Sequence, residues 1–217
     1  MEHDATLSVL HTYEEIQDRI CIRVWNLEHY RRELETLAYL PWEDLAVTFF
    51  YLERGTPEAG QLPISQRDLE NWKLDLYELL RQSVTQSRFL HPPIFKPMRD
   101  ILQIPPDLEE DELALYVLTC EEAGYGSATM LYPGLLAEIA AEMKEDLYVL
   151  PSSVHELILL PLRQMQKPES LISIIGEVNR TVVLPGDFLS NSLYLYRRNR
   201  GELERYGMTP GSLRMMV

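Results

Sequence analysis

The sequence predicts an α+β protein built mainly from antiparallel sheet, with helices packed on one face of each sheet. Three observations carry that expectation. Short runs rich in β-branched and aromatic residues, such as 45–52 and 113–120, have the length of strands rather than helices. Between them lie segments with apolar residues at helical spacing, opened by side chains that cap helices. The chain also carries 14 prolines against 10 glycines, which sets firm stops between elements rather than loose linkers.

Taken in order, Thr12-Tyr13-Glu14-Glu15 is a capping box and opens a short helix. Ile20, Ile22 and Val24 then alternate as in a strand near 20–26, and a second helix is expected over 28–38, ended by Pro41. Residues 45–52, LAVTFFYL, read as a buried strand, followed by a polar loop and a short run at 62–65. Ser65 and Asp68 pair as a cap for a helix carrying Leu69, Trp72, Leu76, Leu79, Leu80 and Val84. Residues 88–107 hold five prolines and are expected to form an irregular connector, closed by the acidic run Asp107 to Glu112.

The plan then repeats. A strand at 113–120, a turn at 121–126 and a second strand at 127–132 lead to a helix in which Leu135, Leu136, Ile139, Ala140 and Met143 share a face. A strand at 146–150, a turn at Pro151-Ser152-Ser153 and a strand at 154–160 form a hairpin. An amphipathic helix over 168–178 and a terminal hairpin around Asn199-Arg200-Gly201 complete the chain. Strand, loop, short strand and helix thus occur twice, at 45–86 and 113–144. This suggests two docked units, 12–100 and 107–206, and a loose tail at 207–217.

Composition narrows the function classes. A chain of 217 residues, 46% apolar and 25% charged, is that of an ordinary globular protein. The longest apolar run has six residues and includes Pro161, too short to span a bilayer, and the acidic start Met1-Glu2-His3-Asp4 lacks a signal-peptide core. The expected compartment is the cytoplasm. Cys21 and Cys120 form no metal or redox spacing and read as buried free thiols. The net charge is −14, yet residues 191–217 carry five arginines against two glutamates, which leaves −17 on residues 1–190. Such a body repels nucleic acid and anionic membranes and favours a basic protein partner. The basic strip near the C-terminus suits an acidic surface, including that of a second copy of the chain.

Six segments, DLAVTFFYL (44–52), ALYVLTC (114–120), GSATMLYPG (126–134), DLYVLPSSVHE (146–156), EVNRT (177–181) and LSNSLYLYRR (189–198), resemble a domain-of-unknown-function family of gut Firmicutes, often found near mobile elements. The resemblance runs from Tyr13 to about Leu203. Its members commonly carry a further N-terminal region, and usually have asparagine where this chain has Cys120, which argues against a role for a thiol there. The resemblance implies no activity and no cofactor.

The sharpest chemical motif is Ser152-Ser153-Val154-His155-Glu156. A hydrolase needs a nucleophile, a base and an orienting acid that meet in space, and Ser153, His155 and Glu156 are the candidates. On one strand, however, His155 and Glu156 point to opposite faces, and no G-x-S-x-G elbow raises a serine. The alternative is a turn, with Ser152 and His155 as contacts for a ligand or partner together with Arg197, Arg198 and Arg200. His155-Glu156 begins like H-E-x-x-H, but Leu159 replaces the second histidine, and His3, His11, His29 and His91 show no paired spacing. Gly124-Tyr125-Gly126 lacks the lysine of a phosphate loop and the third glycine of a dinucleotide fingerprint. No cofactor and no metal is therefore expected. The favoured function is a non-enzymatic binding or accessory protein. Two alternatives are an acidic nucleic-acid mimic that inhibits a basic nuclease, and a hydrolase acting at the 152–156 turn.

Overall fold

A computed structural model describes residues 11–53, 60–103, 114–121, 125–165 and 167–207. The acidic run at 107–112 and nearly all of the 207–217 tail lie outside them. Among the described residues, ten strands form two antiparallel sheets. The first contains β1 (Ile20–Asn26), β2 (Tyr39–Trp42), β3 (Leu45–Leu52) and β4 (Gln61–Pro63). Strand β1 runs along one edge of β3, and β2 and β4 share the other. The second sheet has the order β10-β9-β7-β8-β6-β5. Its strands are β5 (Pro93–Pro97), β6 (Tyr116–Cys120), β7 (Leu147–Leu150), β8 (Leu157–Pro161), β9 (Tyr194–Arg197) and β10 (Glu202–Arg205). Among the described residues seven α-helices accompany them: α1 (Tyr13–Ile16), α2 (Arg31–Leu34), α3 (Gln66–Trp72), α4 (Leu76–Leu90), α5 (Met98–Ile101), α6 (Leu135–Met143) and α7 (Pro168–Thr181). The α+β class and the antiparallel pairing agree with the sequence.

The inward faces of both sheets meet in one apolar cluster. Ile20, Ile22 and Val24 of β1 and Val47 and Phe49 of β3 join Leu118, Val149, Leu157, Leu159 and Tyr194 of the second sheet, together with residues of α6. Alternation along β1 sends Ile20, Ile22 and Val24 into this cluster, as period-two geometry requires. The second sheet is buried on its other face too. There Tyr148, Leu150, Leu160 and Leu195 pack on Leu171 and Ile175 of α7. Strands covered on both sides carry continuous apolar runs, which is why Leu147 to Leu150 shows no alternation.

Helix α4 covers the free edge of β1. The Ser87 hydroxyl accepts from the Ile22 amide at 2.9 Å and donates to the Ser83 carbonyl at 2.7 Å. A side chain thus uses an amide that would otherwise template aggregation. Its N-terminus is capped by Asp75, which accepts from Tyr77 and Glu78, worth about 1 kcal/mol.

Several expected elements differ. The helix expected over 28–38 is only the single turn α2, and Pro41 lies inside β2, paired with Ala46. Proline fits there because β2 is an edge strand. The helix from Ser65 is two helices, since Lys73 takes a left-handed conformation (φ 54°) and Asp75 restarts the chain. The proline-rich connector contains β5, an edge strand with prolines at both ends. The strand expected at 127–132 is a 3-10 helix, Gly126–Leu131, whose every residue is buried. It joins no ladder: Ala128 N donates to the Tyr125 carbonyl at 3.1 Å and Ser127 N to the Val154 carbonyl at 3.2 Å. The hairpin strand begins at Leu157 rather than Val154, because residues 151–156 are held by other contacts.

Candidate functional site

Segment 185–192 lies at the seam between the sheets and draws together most of the motifs found in the sequence. On its inner side, Ser190, Ser192 and Tyr194 stand two residues apart, so an extended chain turns all three hydroxyls the same way. They donate to one carboxylate: Ser190 Oγ and Ser192 Oγ reach Asp44 Oδ2 at 2.6 and 2.8 Å, and Tyr194 Oη reaches Asp44 Oδ1 at 2.5 Å. Asp44 is placed there by the two-residue β2–β3 turn, in which Glu43 adopts φ 54°. Burial, then the Asp44 charge, push the Tyr194 hydroxyl far above the usual tyrosine range, so it stays protonated and donating. Asn26 and Asn179 tie the same segment to β1 and α7, through the Leu189 and Ser190 carbonyls, both at 2.8 Å.

The outer side holds the 152–156 turn. Val154 N donates to the Asp187 carbonyl at 2.9 Å, and Leu189 N donates to the Ser152 carbonyl at 3.0 Å. From the other flank, Ser127 N donates to the Val154 carbonyl at 3.2 Å and Thr119 Oγ1 to the His155 carbonyl at 2.8 Å. Gly126 packs so closely on Thr119 and the His155 carbonyl that a Cβ there would lie 2.9 Å from Thr119 Cα. Only glycine permits this approach. His155 Nε2 meets Asp187 Oδ1 at 3.0 Å, with side chains 44% and 31% exposed. Tyr30 reaches over from the first sheet and donates to the Gly186 carbonyl at 2.5 Å. Burial and the neighbouring Asp187 charge raise its pKa.

The structure separates the sequence candidates. Ser153 is 8% exposed, and its Oγ accepts from the His155 backbone amide at 3.1 Å, a bond that closes a turn. The His155 imidazole is directed at Asp187, and Glu156 is exposed. These residues precede β8, so the strand-alternation argument does not govern them. Arg197 lies remote from this turn in chain contacts: it bridges Glu204 at 3.0 Å and Asp146 at 3.4 Å, while the Arg198 amide donates to Asp146. Arg200 sits in the exposed turn of the terminal hairpin.

The family comparison can now be set beside this geometry. The match to one family model extends over residues 1–198 and takes in every motif that meets at the seam. The chain belongs to DUF5688, a family of unknown function. No curated protein and no solved structure matches the chain. Membership therefore carries no chemistry of its own, and what the seam does must be argued from its atoms.

Asp44, Asp187, Tyr30 and Asn179 escaped the sequence reading. One signal for the first was present: Ser190, Ser192 and Tyr194 form a period-two row of hydroxyls, which calls for a common acceptor. Nothing local pointed to Asp44, 146 positions away from Ser190. Both cysteines are buried thiols. Burial, partly opposed by a Ser87 hydrogen bond, pushes the Cys21 thiol up to about 12, so it is inert as a nucleophile at neutral pH. Among the described residues no cluster of three histidine, cysteine or carboxylate side chains is arranged to hold a metal, and no helix is long and apolar enough to cross a membrane.

Proposed function

We propose that the chain is a non-enzymatic binding or accessory protein whose partner is a protein with a basic surface. The observation that carries this reading is an open groove of 620 Å³ along α1, lined by Glu14, Glu15, Asp18 and Glu53. Arg19, also in its wall, donates to the Glu15 carbonyl at 2.8 Å and to the Leu52 carbonyl and forms an ion pair with Asp18 at 3.6 Å, so the lining keeps an excess of carboxylates. A hydrogen bond from the Thr12 amide holds Glu15 below the usual carboxylate range, so it remains ionised. A second groove of 430 Å³ adjoins it and adds Tyr13 and Trp72, whose rings lie 5.8 Å apart. Carboxylates beside half-buried aromatic rings suit a lysine- or arginine-bearing segment, through charge and cation–π contact. The −14 net charge would speed the encounter of such a partner.

Titration calorimetry with an arginine- and lysine-rich peptide tests this. Binding should weaken at least about tenfold in Glu14→Lys/Asp18→Lys, and should fall with salt. The same charge change placed elsewhere, Glu35→Lys/Glu142→Lys, should leave most of the affinity. Equal losses in the two variants would reduce the effect to net charge and defeat the assignment of the groove.

A further inference from the structure

Strand β1 turns Ile22 and Val24 inward, so Arg23 stands on the opposite face of the first sheet. Its guanidinium is clamped between two rings: the central carbon lies 4.3 Å from the centre of the Phe50 ring and 3.7 Å from that of Tyr125. Nη2 donates to Gln61 Oε1. Nε is buried and has no hydrogen-bond partner, and no carboxylate among the described residues pairs with the group. The chain does not lack carboxylates. It holds 34 of them against 20 lysines and arginines, and Arg19, Arg31, Arg88, Arg163 and Arg197 each meet one within 3.6 Å. Burial lowers the Arg23 pKa, because taking a cation out of water without a counter-anion is unfavourable. Stacking on the two rings offsets part of that penalty and fixes the guanidinium plane, but leaves in-plane N–H groups unmet.

We propose that Arg23 anchors a binding site for a small monocarboxylate carried on a flat ring, separate from the acidic groove of α1. Both faces of the guanidinium are occupied, so an acceptor has to approach in its plane, along the unused N–H edge. A carboxylate matches that edge with two oxygens. Phosphate fits less well: it brings a second charge, and one guanidinium in a chain of net charge −14 neutralises only one. Phe50 is 3% exposed, whereas Arg23, Tyr125 and Trp25 are each part-exposed, so a solute reaches the clamp from the side of Tyr125 and Trp25. Trp25 follows Arg23 on the same face of β1 and is braced by Tyr30, with ring centres 4.7 Å apart. These two half-buried rings, Tyr125 and Trp25, supply the apolar walls for an aryl group attached to the carboxylate.

Nuclear magnetic resonance of the isotope-labelled full chain tests the site, because each arginine gives its own Nε–H signal. Benzoate should shift the Arg23 signal saturably, with a dissociation constant on the order of 1 mM, while that of exposed Arg200 stays in place. Benzamide, of the same shape without the charge, should leave Arg23 unmoved. Inorganic phosphate should bind at least about tenfold more weakly than benzoate. Arg23→Lys keeps a charge but loses the fork, and should weaken benzoate at least about tenfold with an unchanged circular dichroism spectrum. The wild-type titrations are read without any variant, so misfolding of the lysine variant leaves the test intact. No saturating shift at Arg23 by about 20 mM benzoate overturns the proposal, as does an equal shift with benzamide or at Arg200. Equal affinity for phosphate overturns the choice of a carboxylate, and undiminished binding by a folded Arg23→Lys overturns the fork. The groove variants Glu14→Lys/Asp18→Lys should bind benzoate as the wild type does, so this site and the basic-partner reading fail separately.

Discussion

Asp44 meets the segment 185–192 from its inner side, Asp187 belongs to that segment on its outer side, and the two do opposite things. Asp44, on the inner side, accepts hydrogen bonds from three hydroxyls within 2.8 Å. Asp187, on the outer side, is 31% exposed and pairs with one half-exposed histidine at 3.0 Å. Both are aspartates beside a tight loop, so residue type does not decide the role. The number of donors does. A carboxylate that accepts from several protein donors serves as a fixed strut, because leaving those donors unmet is costly. One paired with a single partly exposed side chain is free to exchange partners at small cost.

The largest expected effect follows from breaking the inner side. Asp44→Ala removes the acceptor of Ser190, Ser192 and Tyr194 together, and should cost about 3 kcal/mol. For a chain of this size that lowers Tm by about 6–12 °C. Asp44→Asn keeps one acceptor oxygen and should lose roughly half as much. Thermal and urea unfolding of the two variants measure this directly. An alanine variant as stable as the wild type would mean that the hydroxyl row is held by packing alone.

Titration gives an intermediate effect on buried groups. Folding raises the pKa of Cys21 from 9.0 to about 12, chiefly by burial, and that of Tyr194 by burial and the Asp44 charge. A group whose pKa rises on folding stabilises fully while both states are protonated, and the contribution falls once the unfolded chain can ionise. Stability should therefore be flat from pH 7 to 8.5 with respect to these groups. It should then decline from about pH 9, at up to about 1.4 kcal/mol per pH unit for each group, Cys21 first and Tyr194 from about pH 10. Urea midpoints across pH 7–11 show the decline. In Cys21→Ala its onset should move up to the tyrosine range, and an unchanged onset would remove Cys21 from the account.

The same contrast explains what could be read in the chain beforehand. Strands β1, β3, β7 and β9 were legible because alternation or continuous burial is written locally, in Ile20-Cys21-Ile22 or in LAVTFFYL. The turn at 152–156 was legible from Pro151 and its serines. The 3-10 helix at 126–131 was not: Ser127 to Leu131 has the residues of a strand, yet its backbone bonds close turns and reach Val154 instead of joining a ladder, a tertiary fact. Edge strands β2 and β5 were hidden by their prolines, which mark a break in a central strand but are tolerated at an edge. The hydroxyl row of Ser190, Ser192 and Tyr194 announced that an acceptor exists, and nothing in the sequence says that it is Asp44. His155 was among the residues singled out, but its partner, Asp187, is 32 positions away and arrives only with the fold.

The smallest expected effect is on the outer side. His155→Ala removes an ion pair between two partly exposed side chains, and such pairs contribute about 0–1 kcal/mol. The turn does not depend on the imidazole, since its backbone is already bonded to Asp187, Leu189, Ser127 and Thr119. The variant should therefore lose less than about 1 kcal/mol by urea unfolding, and a double-mutant cycle with Asp187→Asn should give a coupling of the same small size. Gly126→Ala is the internal control, because it disturbs the same turn through the His155 carbonyl rather than the side chain and should cost more. If His155→Ala proved as damaging as Asp44→Ala, the outer side would be a strut as well. The distinction between the two aspartates would then not rest on the number of their donors.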